Sequence, residues 1–206
     1  MTAYLIGLTG PMGAGKTTVA HMLRELGAKV LDADAIVHQE QSRCTVGYSA
    51  IVQRFGTKVL GGDKEIDRVK LAAEVFTDPS KLAALERIVH PRVISRVLEA
   101  RSMLPDDAVL VIEAIKLLEG SVRTVCDEIW VVVAPRKAML ERLRARGVPE
   151  AEAEARLRHQ RGEDDFRAAA HVVIDNAGDR EGTRAQVEAA WAAASAKARE
   201  RGPSRG

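Results

Sequence analysis

A nine-residue stretch near the start of the chain, GPMGAGKTT at 10–18, most constrains what this sequence can fold into. The apolar run at 4–8 before it predicts a buried strand, and VAHMLRELGA at 19–28 after it has the apolar spacing of a helix. The glycines of the stretch permit backbone angles that residues with a Cβ resist, so the loop amides can point inward. Such a nest of N–H groups at a helix N-terminus is a phosphate-binding site.

The phosphate-loop pattern G-x-x-x-x-G-K-[ST] fits without a mismatch at Gly10, Gly15, Lys16 and Thr17. Lys16 adds a mobile positive charge for phosphate groups, and the Thr17 hydroxyl is a candidate ligand for Mg²⁺. The predicted nucleotide-binding residues of the loop are Gly10, Met12, Gly13, Ala14, Gly15, Lys16, Thr17 and Thr18.

The composition restricts the class of protein. A chain of 206 residues is long enough for one α/β domain with a small inserted part. A formal charge of +2 does not favour a nonspecific grip on nucleic acid. Cys44 and Cys126 lack C-x-x-C spacing and are expected to be reduced thiols. Without a charged leader or a membrane-length apolar run, we expect a cytoplasmic protein with no membrane partner.

The order of elements predicts the fold class. Buried strands are expected at residues 4–8, 28–34, 106–114, 128–135 and 171–178, with helices between them. This alternation predicts an α/β fold with a doubly wound parallel sheet flanked by helices, whose ligands sit at the carboxyl ends of the strands.

The helical regions also carry predictions. We expect residues 35–103 to be mainly helical, with a turn at Gly61-Gly62, a helix start at residues 77–80 and an interruption at His90-Pro91. A closing helix is expected at 180–199. Residues 1–199 are thus predicted to form one domain, followed by a flexible tail at 200–206.

Two aspartates follow the second predicted strand. Phosphoryl transfer needs a carboxylate that takes the proton of the acceptor, and Asp34, expected at the end of this strand beside the phosphate loop, is the candidate. Asp32 shares its face only if the strand continues through it. For each aspartate the alternative is an N-cap of the following helix.

A basic helix at 136–147 carries further candidates. Arg142 and Arg146 are four residues apart and share one face, where a helical lid could close over the phosphates and exclude water. The alternative is a solvated basic surface. The single asparagine of the chain, Asn176, is followed by Ala177, so the Asn-Lys-x-Asp pattern of a guanine-specific switch is absent. A small phosphotransferase fits the chain length best.

Five motifs in order, IGLTGPMGAGKTT, VLDAD, the FG...D...IDR...L...VF series at 55–76, IVHP at 88–91 and VVIDNAG at 172–178, resemble the dephospho-coenzyme A kinases. The resemblance implies a P-loop kinase fold that transfers the γ-phosphoryl group of ATP, with Mg²⁺, to the ribose 3'-hydroxyl of dephospho-CoA. It also implies that residues 35–103 receive dephospho-CoA and that a helical lid spans about 144–170.

Site roles follow from the resemblance. Catalytic residues are then Lys16, Asp34 as the base, and Arg142. His90 belongs to the acceptor side. Arg146 and Asn176 belong to the ATP side, with Asn176 near the adenine.

The chain departs from the family pattern at EAIKLLE, residues 113–119, where Ala114 and Lys116 replace an acid and a proline. Glu113 keeps a negative charge there, and Lys116 could meet an anionic part of the acceptor; both are predicted substrate-binding residues. His171, at a position where the family commonly has aspartate, is expected at the surface.

Two other functions remain open at this point: a kinase of another small acceptor, such as a nucleoside monophosphate or a sugar, and a non-catalytic ATP-binding regulator. The expected partners are ATP and dephospho-CoA, and the protein is expected to be a monomer or a small homo-oligomer.

Overall fold

The computed structural model describes residues 2–201 and is built on a parallel sheet. The strands within that range are β1 (Tyr4–Thr9), β2 (Lys29–Asp32), β3 (Val109–Glu113), β4 (Glu128–Val133) and β5 (Val172–Asp175). Their order in the sheet is β2-β3-β1-β4-β5, and the β1/β3, β1/β4 and β4/β5 pairs are parallel. The predicted doubly wound α/β sheet is confirmed.

The chain divides into two compact units. One comprises residues up to Leu31 together with those from Ala100 onward, and the other comprises Asp32–Glu99. The helices of the first unit are α1 (Lys16–Glu25), α6 (Arg136–Ala145), α7 (Glu150–Arg158), α8 (Glu163–Ala169) and α9 (Arg180–Arg201). Those of the second are α2 (Ala33–Glu40), α3 (Val46–Phe55), α4 (Arg68–Phe76) and most of α5 (Pro79–Ser102).

The core of the first unit lies on the sheet. Strands β1 and β4 are buried along their whole length, which explains their near-continuous apolar sequences. Trp130 of β4 is fully buried in a cluster with Val19 and Leu23 of α1 and Val187 of α9. Because α1 and α9 contribute to this cluster, the loop between β1 and α1 rests on a rigid base.

The second unit is helical, as predicted, and its turns are fixed by side chains. Leu60 and Ile66 form an isolated antiparallel bridge around the predicted Gly61-Gly62 turn. The Tyr48 hydroxyl donates to the Lys64 carbonyl at 2.6 Å. Helix α5 begins at Pro79, where the Asp78 carboxylate accepts from the Ser80 amide at 2.8 Å, so the predicted helix start is confirmed.

The predicted interruption at His90-Pro91 is wrong. Helix α5 runs through Pro91 without a break. Proline removes one backbone donor from the helix, but Val89, Val93 and Val97 bury one face of α5 around it. Packing of that face therefore outweighs the lost hydrogen bond.

The predicted position of Asp34 at the end of a strand is also wrong. Strand β2 ends at Asp32, whose carboxylate accepts from the amides of Asp34 at 2.8 Å and Ala35 at 3.2 Å. Asp32 is therefore the N-cap of α2, and Asp34 lies in its first turn. Of the two aspartates, only the first takes the capping alternative.

Helix α9 continues to Arg201, and the part of the predicted tail at residues 202–206 lies outside the described residues. Within the described range, none of the helices is both long enough and apolar enough to cross a membrane.

Candidate active site

The loop between β1 and α1 has the backbone that its glycines predicted. Gly10 and Gly15 have φ angles of 146° and 105°. A Cβ on Gly10 would lie 2.1 Å from the Val132 carbonyl oxygen, and one on Gly15 would lie 2.0 Å from the Asn176 side-chain nitrogen. Neither position has room for a side chain, so both the conformation and the space require glycine.

Lys16 is folded back on this loop. It is the first residue of α1, and its side chain is buried, with 7% of its surface exposed. The Lys16 Nζ donates to the carbonyl oxygens of Gly10 at 2.9 Å and Pro11 at 3.1 Å. The ammonium group is therefore held at the loop, on the same side as the carboxyl end of β1.

Thr17 meets a carboxylate from the neighbouring strand. Its hydroxyl donates to Glu113 Oε1 at 3.1 Å. Parallel pairing of β1 with β3 places Glu113 opposite Leu8, which brings the end of β3 beside the loop. Glu113, predicted on the acceptor side from a departure in the sequence pattern, thus contacts the candidate metal ligand Thr17.

These two residues suit a hard cation. Hydroxyl and carboxylate oxygens are the ligands that Mg²⁺ prefers, and it commonly uses few protein ligands together with substrate phosphates. No cluster of three or more His, Cys, Asp or Glu side chains able to hold a metal occurs in the described part of the chain.

Arg142 and Asn176 hold the other side of the loop. The Arg142 guanidinium donates to the carbonyl oxygens of Gly13 at 3.2 Å, Ala14 at 3.0 Å and Asn176 at 2.9 Å. The Asn176 amide donates to the Ala14 carbonyl at 2.7 Å, and its oxygen accepts from the Thr183 hydroxyl at 3.0 Å. The structure therefore joins the loop to α6, to the end of β5 and to α9.

Other predicted residues are not part of the hydrogen bonds just described. Arg146 is the C-cap of α6 and is exposed. Lys116 is also exposed, and its carbonyl accepts from the amides of Glu119 and Gly120. His171 is exposed, as expected, and its Nδ1 accepts from the Ile129 amide at 3.0 Å, which explains its place beside β4.

The second unit contains Asp34, His90 and a cleft of about 300 Å³. Asp34 is exposed on α2, and His90 is half-buried on α5. The cleft is lined by Glu40, Cys44, Thr45, Val46, Arg92, Ser95, Arg96 and Glu99. Within it the buried Glu40 accepts from Arg96 Nε at 3.0 Å, and this bond raises the pKa of the Arg96 guanidinium.

Two contacts of the loop region were missed at the level of sequence. Gln160, between α7 and α8, accepts from the Met12 amide at 2.9 Å, and Thr183 supports Asn176. Gln160 lies 148 residues from Met12 along the chain. Local spacing contains no signal for such a contact, because it depends on how two helices pack.

The site combines a parallel sheet that has this loop after β1, a carboxylate at the end of the adjacent strand and an arginine held against the loop. This combination defines the class of P-loop kinases. A family model described as dephospho-CoA kinase matches residues 4–181. The chain belongs to the dephospho-CoA kinase family, and the resemblance inferred from the motifs is confirmed.

Known proteins agree with this assignment. The dephospho-CoA kinase of Symbiobacterium thermophilum is 42% identical over 193 residues, which cover 92% of this chain and 81% of the relative. A crystal structure of a Thermus thermophilus protein has a TM-score of 0.82 and 34% identity, covering 94% of this chain and 98% of that one. The dephospho-CoA kinase of Campylobacter jejuni, at 23% identity and a TM-score of 0.70 over 94% of this chain and 98% of that one, shares the fold.

Proposed function

We infer that this protein transfers the γ-phosphoryl group of ATP to the ribose 3'-hydroxyl of dephospho-CoA, giving CoA and ADP, the final step of coenzyme A biosynthesis. The observation that carries this inference is the dephospho-CoA kinase family match over residues 4–181, which includes the whole phosphate loop. The contacts of the loop support roles for individual residues.

On the ATP side, the loop amides and Lys16 bind the phosphates. The ammonium group now shared by Gly10 and Pro11 turns toward the β- and γ-phosphates, where a full positive charge offsets the charge that develops during transfer. Thr17 and Glu113 hold Mg²⁺. When bound there, the ion supplies further positive charge to the same phosphates.

On the acceptor side, the helical unit of Asp32–Glu99 receives dephospho-CoA, with His90 as a contact and Lys116 meeting an anionic part of the acceptor. The oxygen of the 3'-hydroxyl bonds to the γ-phosphorus while Asp34 takes the hydroxyl proton. The bond from that phosphorus to the β–γ bridging oxygen breaks, and ADP leaves. The exposure of the Asp34 side chain supports this role, because an acceptor can reach it.

Arg142 and Asn176 act mainly by positioning the loop. The bonds given above join both residues to loop carbonyls, so they fix the direction of the loop amides. Arg146 at the exposed end of α6 contacts ATP at the rim, and Asn176 lies near the adenine. The segment of about 144–170, which contains α7 and α8, closes as a lid and excludes water.

The test is ADP release in the presence of Mg²⁺ and ATP, with dephospho-CoA compared against AMP, CMP, gluconate and shikimate. We expect release that depends on dephospho-CoA, together with a product that has gained the mass of one phosphate. The Lys16→Ala variant, purified identically, controls for contaminating kinases. Release with another acceptor would indicate a different small-molecule kinase, and ATP binding without any release would indicate a regulator.

The cellular location and the oligomeric state of the protein are also proposals. A cytoplasmic location is supported by the biosynthetic chemistry of the family and by the two free cysteines, Cys44 and Cys126. Cell fractionation tests it, and recovery with the membrane fraction would contradict it. A monomer or small homo-oligomer is expected by light scattering.

A further inference from the structure

We propose that Gln160 is a positioning residue for ATP. From the segment between α7 and α8, its side chain holds the Met12 amide of the phosphate loop. This inference rests on the proposed function, because it assigns Gln160 to the ATP side of the same site. The starting observation is the 2.9 Å hydrogen bond from the Met12 amide to Gln160 Oε1.

The bond acts on a different group from the other loop contacts. Lys16, Arg142 and Asn176 all donate to carbonyl oxygens of the loop. Gln160 instead accepts from an N–H group, and N–H groups are what a phosphate loop offers to a nucleotide. Its contact therefore fixes the direction of the Met12 amide, and with it the backbone between Pro11 and Gly13, beside the loop amides that are proposed to bind the phosphates.

The chemistry of the amide fixes its orientation. A backbone N–H only donates, so the oxygen of Gln160 must face Met12 and the NH₂ group must point away from that amide. The side chain is half-buried, which limits the other orientations that its amide group can adopt. A methionine at 160 would keep most of the volume but lose the acceptor, whereas a glutamate would keep the acceptor and add a negative charge.

The segment that carries Gln160 makes two ion pairs with neighbouring elements, both between partly exposed side chains. Arg161 Nε donates to Glu119 Oε1 at 2.9 Å, and Arg136 of α6 donates to Glu154 of α7 at 2.7 Å. Helix α8 packs on β4. Because Gln160 lies between these two helices, its bond to Met12 couples the position of α7 and α8 to the geometry of the loop.

The experiment compares Gln160→Met and Gln160→Glu with the parent protein, with Ala193→Met on the exposed face of α9 as a control for an added methionine outside both proposed substrate sites. Calorimetric titration with ATP and Mg²⁺ gives the affinity without the acceptor. We expect Gln160→Met to weaken ATP binding about tenfold, because the Met12 amide loses its partner. The KM for dephospho-CoA should change less than about twofold, and the thermal midpoint should stay within about 2 °C.

Gln160→Glu separates the hydrogen bond from packing. At low salt its charge repels the phosphates, so binding is weak. At about 0.5 M salt, where this repulsion is screened, it should bind ATP more tightly than Gln160→Met, since only glutamate keeps the acceptor.

Parent-like ATP affinity of Gln160→Met would overturn the proposal. Tighter ATP binding by Gln160→Met than by Gln160→Glu at high salt would also overturn it. Equal losses of affinity for ATP and dephospho-CoA, together with a lowered thermal midpoint, would indicate a merely structural role and overturn it as well. If the parent binds ATP but leaves dephospho-CoA unphosphorylated, the proposed function fails, whereas the comparison of ATP affinities still decides the role of Gln160.

Discussion

At the residue scale, Lys16 gives the sharpest prediction for catalysis. Its ammonium group lies on the Gly10 and Pro11 carbonyls and carries a full charge in a buried site. Lys16→Ala should lower kcat by roughly a hundredfold to a thousandfold, because one preorganised positive contact to the transferred group is lost. Steady-state kinetics with saturating ATP measures this, and a rate within a few-fold of the parent protein would contradict the assigned role.

The two neighbouring aspartates form a matched pair for a second prediction. Asp34→Asn removes the proposed base and should lower kcat on the order of a hundredfold or more, with ATP affinity unchanged. Asp32→Asn keeps an oxygen that can accept from the Asp34 and Ala35 amides, so the cap and the fold should persist. If Asp34→Asn turns over at the parental rate, Asp34 is not the base.

The part of the site that follows from local chemistry could be predicted from the sequence. The conformation of the phosphate loop is determined by its own short sequence, so roles could be assigned to Gly10, Gly15 and Lys16. The bond from Thr17 to Glu113 could not, because it depends on which strands are neighbours in the sheet. The Gln160 contact depends on helix packing and was missed for the same reason.

At the element scale, the junction of β5 with α9 supports the phosphate loop. The Thr183 hydroxyl, which is buried with 1% of the residue exposed, shares its one hydrogen between Asn176 Oδ1 and the Asp179 carbonyl oxygen, each at 3.0 Å. The Asn176 amide then donates to Ala14. The start of α9 is therefore connected to the loop through one side chain.

Thr183→Val should destabilise the fold by about 1 to 2 kcal/mol, because Asn176 Oδ1 loses a buried donor while the side-chain shape is kept. Thr183→Ser restores the hydroxyl and should recover most of this loss. Urea unfolding of both variants gives the free energies. Equal stability of Thr183→Val and the parent protein would show that the bond contributes nothing to the fold.

Element boundaries were less predictable than element types. All five strands occur near their expected positions in the described chain. The expected burial holds for β1 and β4 but is wrong for β2 and most of β5, which are partly exposed along the sheet edges. The fate of Pro91 could not be predicted, since proline usually ends a helix. Burial of Val89, Val93 and Val97 decides the outcome, and burial is a property of the tertiary structure.

At the scale of the whole molecule, a polar cluster lies at the end of the sheet opposite to the phosphate loop. Asp127 accepts from the Leu5 amide at 2.7 Å and from Arg101 and Arg201 at 2.6 Å each. Arg201, the last residue of α9, also lies over the ring of Tyr4, 4.7 Å from its centroid. The end of α9 is thereby tied to the first strand, so the helix that supports the loop at its start is also fixed at its end.

Two acidic groups beside this cluster predict a loss of stability in alkali. Burial, with the charge of Glu128 next, raises the pKa of Tyr4 to about 12 from 10.0. Burial, with the charge of Asp127 next, raises the pKa of the Cys126 thiol to about 12 from 9.0. Since both folded-state pKa values are raised, the unfolded chain loses these protons first, and stability present below pH 9 should fall as the pH rises toward 12.

Urea unfolding across this pH range tests the prediction. Because Cys126→Ala lacks the half-buried thiol, its unfolding free energy should fall less steeply with pH than that of the parent protein, and Tyr4→Phe should behave likewise at the upper end. Cys44→Ala is the control, since Cys44 is exposed. A parental slope in both Cys126→Ala and Tyr4→Phe would contradict the assignment of the alkaline loss to these two groups.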